Sequence, residues 1–287
     1  MIEWIKTGFL TSWQDAGRVG FARWGVPPGG PMDPTSANLA ALLLHLPADS
    51  PVVESYFPGP VLAFHQAATI SITGADFHAQ LTSGRTLKPG GRYHIKEGEV
   101  LSFTKKIAGE WVYIGFIQPD NLQFWWGSVE QPVNKGEFFS VSDQVLSEKR
   151  LGRWLNAGDA CVRFVPRPQT LDQSTSFTAH VLPESNRMGM RLTGNWPSVS
   201  SHGFSSPVVQ GTLQVLPNGQ VIALMADHQT TGGYPVLGEI IRPDIGKLAQ
   251  KSVGEIVHFC AISVEEAWQV QAKLDRVFRK LDRSLMV

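Results

Sequence analysis

Short apolar runs, each cut off by Gly, Pro, Asn or Asp, repeat along most of this 287-residue chain, and that rhythm constrains its fold more than any other feature. Runs of about four to eight residues bounded in this way read as β-strands, because a helix needs a longer stretch with apolar positions three or four apart. With 28 glycines and 19 prolines supplying the breaks, the chain reads as mostly β with few helices. The clearest hairpin is TLQVLPNGQVIALMA (212–226), where Asn218-Gly219 is expected to supply the two positive-φ positions of a type I′ turn. Two helices stand out. One begins at DPTSANLAALLLH, with Asp33 as N-cap, Pro34 in the first turn and leucines for a core. The other begins with the capping box Ser263 and Glu266, and places Ala267, Trp268, Leu274, Val277, Phe278 and Leu281 on a face expected to pack on a sheet.

Hydrophobic residues make up 43% of the chain, enough to fill sizeable cores, and 25 basic residues balance 25 acidic ones. That balance gives no global field to gather nucleic acid or an anionic membrane surface, so neither is expected as a partner. The start, MIEWIKTGFLTSW, lacks the pattern of a signal peptide, and the longest purely apolar run, LAALLL, is too short to cross a bilayer. The expected location is the cytoplasm. Cys161 and Cys260 sit in strand-like runs and read as buried free thiols without metal-ligand spacing.

An internal echo suggests two related halves. GPVLAFHQAATISITGAD (59–76) resembles GTLQVLPNGQVIALMAD (211–227), and GEVLSF (98–103) resembles GEIVHF (254–259). The expectation is two similar β-barrel-like domains, residues 1–165 and 175–287, joined by a linker at 165–178, with Asp76 and Asp227 at equivalent strand ends. A cleft between the domains is the default ligand site.

No phosphate loop, dinucleotide fingerprint, nucleophile elbow or zinc-protease motif occurs, and the 8 histidines have no ligand spacing, so no metal is expected. Three glycine-rich polar loops carry the chemistry instead. TSWQDAGRVGFARWGVPPGGPMDP (11–34) sets Gln14, Asp15 and Arg18 beside Gly17 and Gly20. SNRMGMRLTG (185–194) sets Arg187 and Arg191 four apart around Gly189, suited to a carboxylate or phosphate, or to a solvated basic face. DHQTTGGYP (227–235) offers backbone donors across Thr230, Thr231, Gly232 and Gly233, with Gln229 and the hydroxyls as readers of an amide.

Together these loops, with VESYFPGPVLAF, SITGADF and LAQKSVGEIVHFCAISVEEA, resemble the allophanate hydrolase subunit 2, or carboxyltransferase-domain, family over about residues 8 to 268. The C subunits of 5-oxoprolinases belong to it. The resemblance implies two cyclophilin-like β-barrel domains and partners in the form of B and A subunits, which together with this chain open 5-oxoproline to glutamate with ATP. In the alternative reading it implies a carboxyltransferase module served by biotin, or a noncatalytic regulatory chain. For the site it implies that Arg187 and Arg191 grip the carboxylate or a phosphate, while Gln229, Thr230, Thr231 and the Gly232-Gly233 backbone bind the lactam or its oxyanion. Asp227 or Asp15 would orient water, with Arg18 and Tyr234 completing the substrate-binding set. The chain departs from the family at GFIQPDNLQFWWGSVEQPVN (115–134) and VPRPQTLDQ (165–173). In the first of these, Trp125-Trp126 is expected to plug a core, the alternative being a face for a partner.

Overall fold

A computed structural model describes residues 1–151, 161–167, 175–196 and 204–285. The chain forms two compact units: Met1–Gly17, Asp33–Ala157 and Lys280–Val287 make unit 1, and Arg18–Met32 with Gly158–Arg279 make unit 2. Both are mostly β. The linker expected at 165–178 falls inside unit 2, where its flanks are barrel strands, and its residues 168–174 lie outside the described residues.

Unit 1 holds β1 (Ile2–Lys6), β2 (Phe9–Gln14), α1 (Pro34–Leu43), β3 (Val52–Tyr56), β4 (Val61–Phe64), β5 (Ala68–Asp76), β6 (Ala79–Leu81), β7 (Thr86–Leu87), β8 (Gly91–Ile95), β9 (Val100–Phe103), β10 (Ala108–Phe116), β11 (Gln131–Pro132), β12 (Phe138–Phe139) and β13 (Lys149–Arg150). They form a six-stranded sheet, β12-β1-β4-β9-β6-β7, and a seven-stranded sheet, β11-β2-β3-β10-β5-β8-β13. Trp4, Trp13, Phe116 and Phe139 pack at its core, with Phe139 5.1–5.4 Å from each of the other rings. Such edge-to-face and stacked pairs add to area burial. Helix α1 is capped as its sequence requires: Asp33 accepts from the Ser36 amide at 3.1 Å and from its hydroxyl at 2.6 Å. Its Leu39 and Leu43 are fully buried. Gly115 lets the helix lie close, since a Cβ there would stand 3.0 Å from Ala40 O of the helix.

Unit 2 holds β14 (Cys161–Pro166), β15 (Ser176–Val181), β16 (Gly189–Gly194), β17 (Ser206–Pro207), β18 (Thr212–Val215), β19 (Val221–Leu224), β20 (Thr231–Gly232), β21 (Val236–Ile240), α2 (Arg242–Ala249) and β22 (Ile256–Ala261). Seven of these strands close a barrel in the order β14-β21-β18-β19-β16-β15-β22, and β17 pairs with β20 as a separate ribbon. Phe177 stacks on Phe259 at 4.9 Å inside the barrel. The fully buried Asp244 of α2 accepts from the Arg163 amide, Nε and Nη2 at 2.7–2.9 Å, which ties the helix to β14. Helix α3 (Val264–Leu285) carries the expected capping box, with Ser263 and Glu266 bonded reciprocally at 2.8 and 3.1 Å.

Several expectations are corrected here. The hairpin between β18 and β19 does not use a type I′ turn, because Asn218 does not have positive φ. Pro217 holds the first turn position at negative φ, so the loop closes from Leu216 to Gly219 and Gly219 alone turns left-handed, at 79°. The two echoing segments are wired differently: β18 and β19 pair with each other, whereas β4 and β5 lie in different sheets. Gly-bounded alternation recurs in any β-rich chain, so the likeness carries no pairing information. Helix α3 does not bury a face: Val270, Leu274, Val277, Phe278 and Leu281 are half-buried and Trp268 is 71% exposed. The cysteines are not free thiols; Cys161 and Cys260 form a disulfide across the parallel strands β14 and β22. Their separation of 99 residues hid that adjacency. Disulfides are uncommon in a reducing cytosol, so cysteine usage lends the cytoplasmic expectation no support. No described helix is long and apolar enough to cross a membrane.

Candidate functional site

In unit 2 the candidate site grows from one end of the barrel, where β16 begins and β19 stops. Asn186 and Gly189 exchange backbone hydrogen bonds at 3.1 and 3.2 Å, which closes a two-residue turn with Arg187 and Met188 at its tip. The Asn186 side chain accepts from the Met188 amide at 2.8 Å and fixes the turn locally. Beyond β19 the chain runs Met225-Ala226-Asp227 against that tip: the Met225 amide donates to Met188 O at 3.1 Å and the Asp227 amide to Arg187 O at 2.9 Å. Register thus brings Arg187 and Asp227 together.

Their side chains complete the clasp. Arg187 Nε and Nη2 fork onto the two Asp227 oxygens at 2.8 and 2.9 Å, and Nη2 also reaches Gly30 O at 2.9 Å. The pair therefore joins the barrel end to the 18–32 segment of the same unit. With Arg187 12% and Asp227 31% exposed, this two-point, charge-assisted contact is largely removed from water. Arg187 is engaged as a positioning group, and Asp227 accepts the fork that was expected to hold a substrate carboxylate. Arg18 sits in the same segment, where its amide donates to Pro28 O at 2.6 Å.

Arg191 lies elsewhere. Met190 and Leu192 of β16 are buried, so the alternation of a strand turns Arg191 to the outer face, where it is half-buried. Four residues apart on a helix would have placed both arginines on one side, but Arg187 sits on a turn and Arg191 on a strand.

The loop DHQTTGGYP divides into two halves. His228 is 3% exposed and hydrogen-bonds Gln229 O through Nδ1 at 2.5 Å; this places the proton on Nδ1 and the lone pair on Nε2. Burial pushes its imidazole below the usual histidine range, against the Gln229 carbonyl and the Asp227 charge, so it is neutral near pH 7. Gln229 Nε2 approaches Gln214 Oε1 at 3.4 Å, and Gln214 is fully buried beneath the loop. Gly232 packs on that amide: a Cβ would stand 2.3 Å from Gln214 Nε2. The second half opens to water, with Thr231, Gly233 and Tyr234 exposed. It is held by the β17–β20 ribbon, which pairs Ser206 with Gly232 and Pro207 with Thr231, and by the Val208 amide on Thr230 O at 3.2 Å. The arrangement offers an anchored, nearly neutral base of Asp227, His228 and Gln229, and an accessible rim of hydroxyls and glycine backbone. Sequence reading omitted His228 and Gln214. The imidazole within the motif was the available signal for the first; Gln214 carried none, standing as one polar residue in an apolar strand.

Asp15, in unit 1, has both carboxylate oxygens occupied: Oδ1 accepts from Gly17 N at 2.9 Å and Ser128 Oγ at 2.6 Å, and Oδ2 from Val129 N at 2.9 Å. Gln14 is buried, with Nε2 on Ser12 Oγ at 2.8 Å. The expectation that Trp125 and Trp126 plug a core is corrected, because they are 62% and 39% exposed.

Residues 24–136 and 154–261 match the family described as carboxyltransferase domain, subdomain A and B. The chain belongs to the carboxyltransferase-domain family. Among curated members it is 27% identical to the C subunit of 5-oxoprolinase from Haemophilus influenzae, over 98% of this chain and 99% of that one. The Escherichia coli 5-oxoprolinase C subunit is 29% identical, over 98% and 97%. The Saccharomyces cerevisiae urea amidolyase is 26% identical over 98% of this chain, which spans only 18% of that protein. Of solved structures, the urea amidolyase of K. lactis superposes with a TM-score of 0.84 at 21% identity, covering 98% of this chain and 20% of that one. Its likeness shows that this carboxyltransferase-domain chain shares the fold.

Proposed function

We propose that this chain is the C subunit of an ATP-dependent 5-oxoprolinase, acting with B and A subunits to open 5-oxoproline to glutamate. The observation that carries the reading is the extent of similarity. Two relatives named as C subunits of 5-oxoprolinase are matched over 97–99% of their length, whereas the urea amidolyase is matched over 18% of its own. The chain thus resembles a separate subunit from end to end, and only one module of the fused enzyme.

The substrate is a lactam bearing a carboxylate, and its opening develops negative charge on the former amide oxygen. Thr230, Thr231 and the Gly232-Gly233 backbone are the donors offered to that oxygen, since this half of the loop is open and backed by the β17–β20 ribbon. Gln229 and Tyr234 border them as readers of the lactam. The Arg187–Asp227 pair holds the loop's first residue in place, and the buried, neutral His228 braces the loop through its hydrogen bond to Gln229 O. Arg191, on the outer barrel face, is assigned no contact with substrate. Neither half of the loop presents a lysine, and Arg187 is already forked on Asp227, so these residues do not fit a nucleotide. ATP is assigned to a partner subunit.

The test is co-expression with the A and B subunits and an assay of glutamate formed from 5-oxoproline with and without ATP. ATP-dependent glutamate is expected, and Thr231→Ala should lower turnover at least about tenfold, equal to about 1.4 kcal/mol of transition-state stabilisation. Turnover that requires bicarbonate and a biotin-bearing protein instead would replace this reading with the carboxyltransferase one. A stable complex without turnover would make the chain a regulatory component.

A further inference from the structure

The loop that departs from the family, between β10 and β11, turns aromatic rings outward. Phe124 is 71%, Trp125 62% and Trp126 39% exposed, while Trp4, Trp13 and Trp111 of the same unit are 2–4% exposed. Trp125 and Ser128 exchange backbone hydrogen bonds at 2.8 and 3.1 Å around Trp126 and Gly127, which are left-handed at 52° and 76°. That is a type I′ turn, whose first central position is ordinarily Asn, Asp or Gly. An aromatic residue there is strained, and the turn is held in spite of it by the Asp15 carboxylate on Ser128 Oγ and Val129 N. Trp125 and Trp126 stand edge to face, 5.8 Å apart. The rings are therefore displayed in a set orientation on a braced turn, which lowers the ordering cost of binding.

We propose that the Phe124-Trp125-Trp126 turn is the anchor by which this chain docks on its partner, its rings entering an apolar pocket rimmed by Lys or Arg on the B subunit. This rests on the 5-oxoprolinase reading above. Two observations choose that occupant. Aromatic side chains bury about 150–250 Å² each, so these exposures leave roughly 350 Å² of ring surface in water. That is under half of the ~800 Å² each partner gives to a standard heteromeric interface, and well short of what an obligate homodimer needs, so it suits the core of an interface completed by a polar rim. The charge is also one-sided: IQPDNLQFWWGSVEQPVN (117–134) contains no Lys or Arg, and the carboxylate-bearing Asp120 stands exposed in it. An acidic flank repels an anionic membrane and attracts a basic protein rim.

The test uses the full chain and the purified B subunit. Adding the B subunit should shift tryptophan emission of the wild type to the blue. Phe124→Ala/Trp125→Ala should weaken binding by at least about thirtyfold, the loss of hot-spot residues, while a cooperative melt and the far-UV spectrum are retained. Trp126→Asn, which suits the left-handed position, should weaken binding while raising the melting temperature slightly. Asp120→Lys should weaken it several-fold, and more at low salt. Equal affinity of wild type and the double variant would overturn the docking surface and leave the 5-oxoprolinase reading standing. Failure of the wild type to bind the B subunit at all would overturn both. Wild-type dimers in sedimentation that the double variant abolishes would assign the turn to a contact between copies of this chain. Co-sedimentation with phosphatidylserine vesicles lost in the same variant would assign it to a membrane.

Discussion

The loop at 227–235 is built of acid, imidazole, amide and hydroxyl groups, and its first half folds inward; the loop at 118–128 carries three successive aromatic residues and turns them out. In the first, His228 is 3% exposed and Asp227 is clasped by Arg187. In the second, a carboxylate again does the holding, but Asp15 grips the backbone and hydroxyl beyond the rings, which stand 71%, 62% and 39% exposed. Side-chain hydropathy therefore does not decide burial in these loops. The position of hydrogen-bond partners does: polar groups go in where a fork, a carbonyl or a neighbouring amide receives them, and rings stay out where the clamp fixes the turn away from the core.

Four measurements bear on that contrast. The largest effect is expected for Arg187→Ala, which strands the Asp227 carboxylate and frees the Gly30 carbonyl. It should cost about 2 kcal/mol and lower Tm by roughly 4–8 °C. Adding Asp227→Ala should then cost little more, because the pair acts as one unit. An additive double variant would mean the fork holds nothing. Next, Asp15→Asn removes one acceptor from a three-donor set and should cost about 1.5 kcal/mol. Steady-state anisotropy of the tryptophans should fall as the turn loosens, and an unchanged anisotropy would detach Asp15 from the aromatic loop. Gly232→Ala comes third. Its methyl meets the flexible end of Gln214, so about 1 kcal/mol is expected, recovered in part by Gln214→Ala, and denaturant unfolding measures both.

The smallest effect is pH dependence from His228. Its folded pKa lies below the 6.5 of the unfolded chain, so the folded state binds fewer protons wherever the two differ. Stability is therefore indifferent to this group above about pH 6.5 and declines as pH falls below it. Melting temperatures between pH 7 and 5 should fall less steeply for His228→Gln than for wild type. Parallel slopes would show that the imidazole is not held neutral by burial.

Much of the fold was legible because local rules produce it. Asp33 and Pro34 start α1, Ser263 and Glu266 start α3, and the Gly-bounded apolar runs become strands of both units. The family resemblance was legible in three loops for a related reason, since glycine-rich loops with unusual polar content are distinctive in sequence. What misled was reading partners from spacing or type. Arg187 and Arg191 looked like a pair and are separated by a turn, Asn218-Gly219 looked like a type I′ turn and is displaced by Pro217, and Trp125-Trp126 looked like core. A type I′ turn does hold Trp126, where only Gly127 matched the usual residue preference.

By itself the sequence determined where α1 and α3 begin, that both units are mostly β, and which loops are polar enough to form a site, while α2 went unread. Those properties depend on residues within a few positions of one another. Only the tertiary structure decided that Asp15 braces Ser128, 113 residues away, that Cys161 bonds Cys260 across 99, and that Arg187 closes on Asp227 across 40. Each contact exists because sheet pairing brings distant segments to adjacent positions, and sheet register, unlike helix spacing, leaves no local trace in the chain.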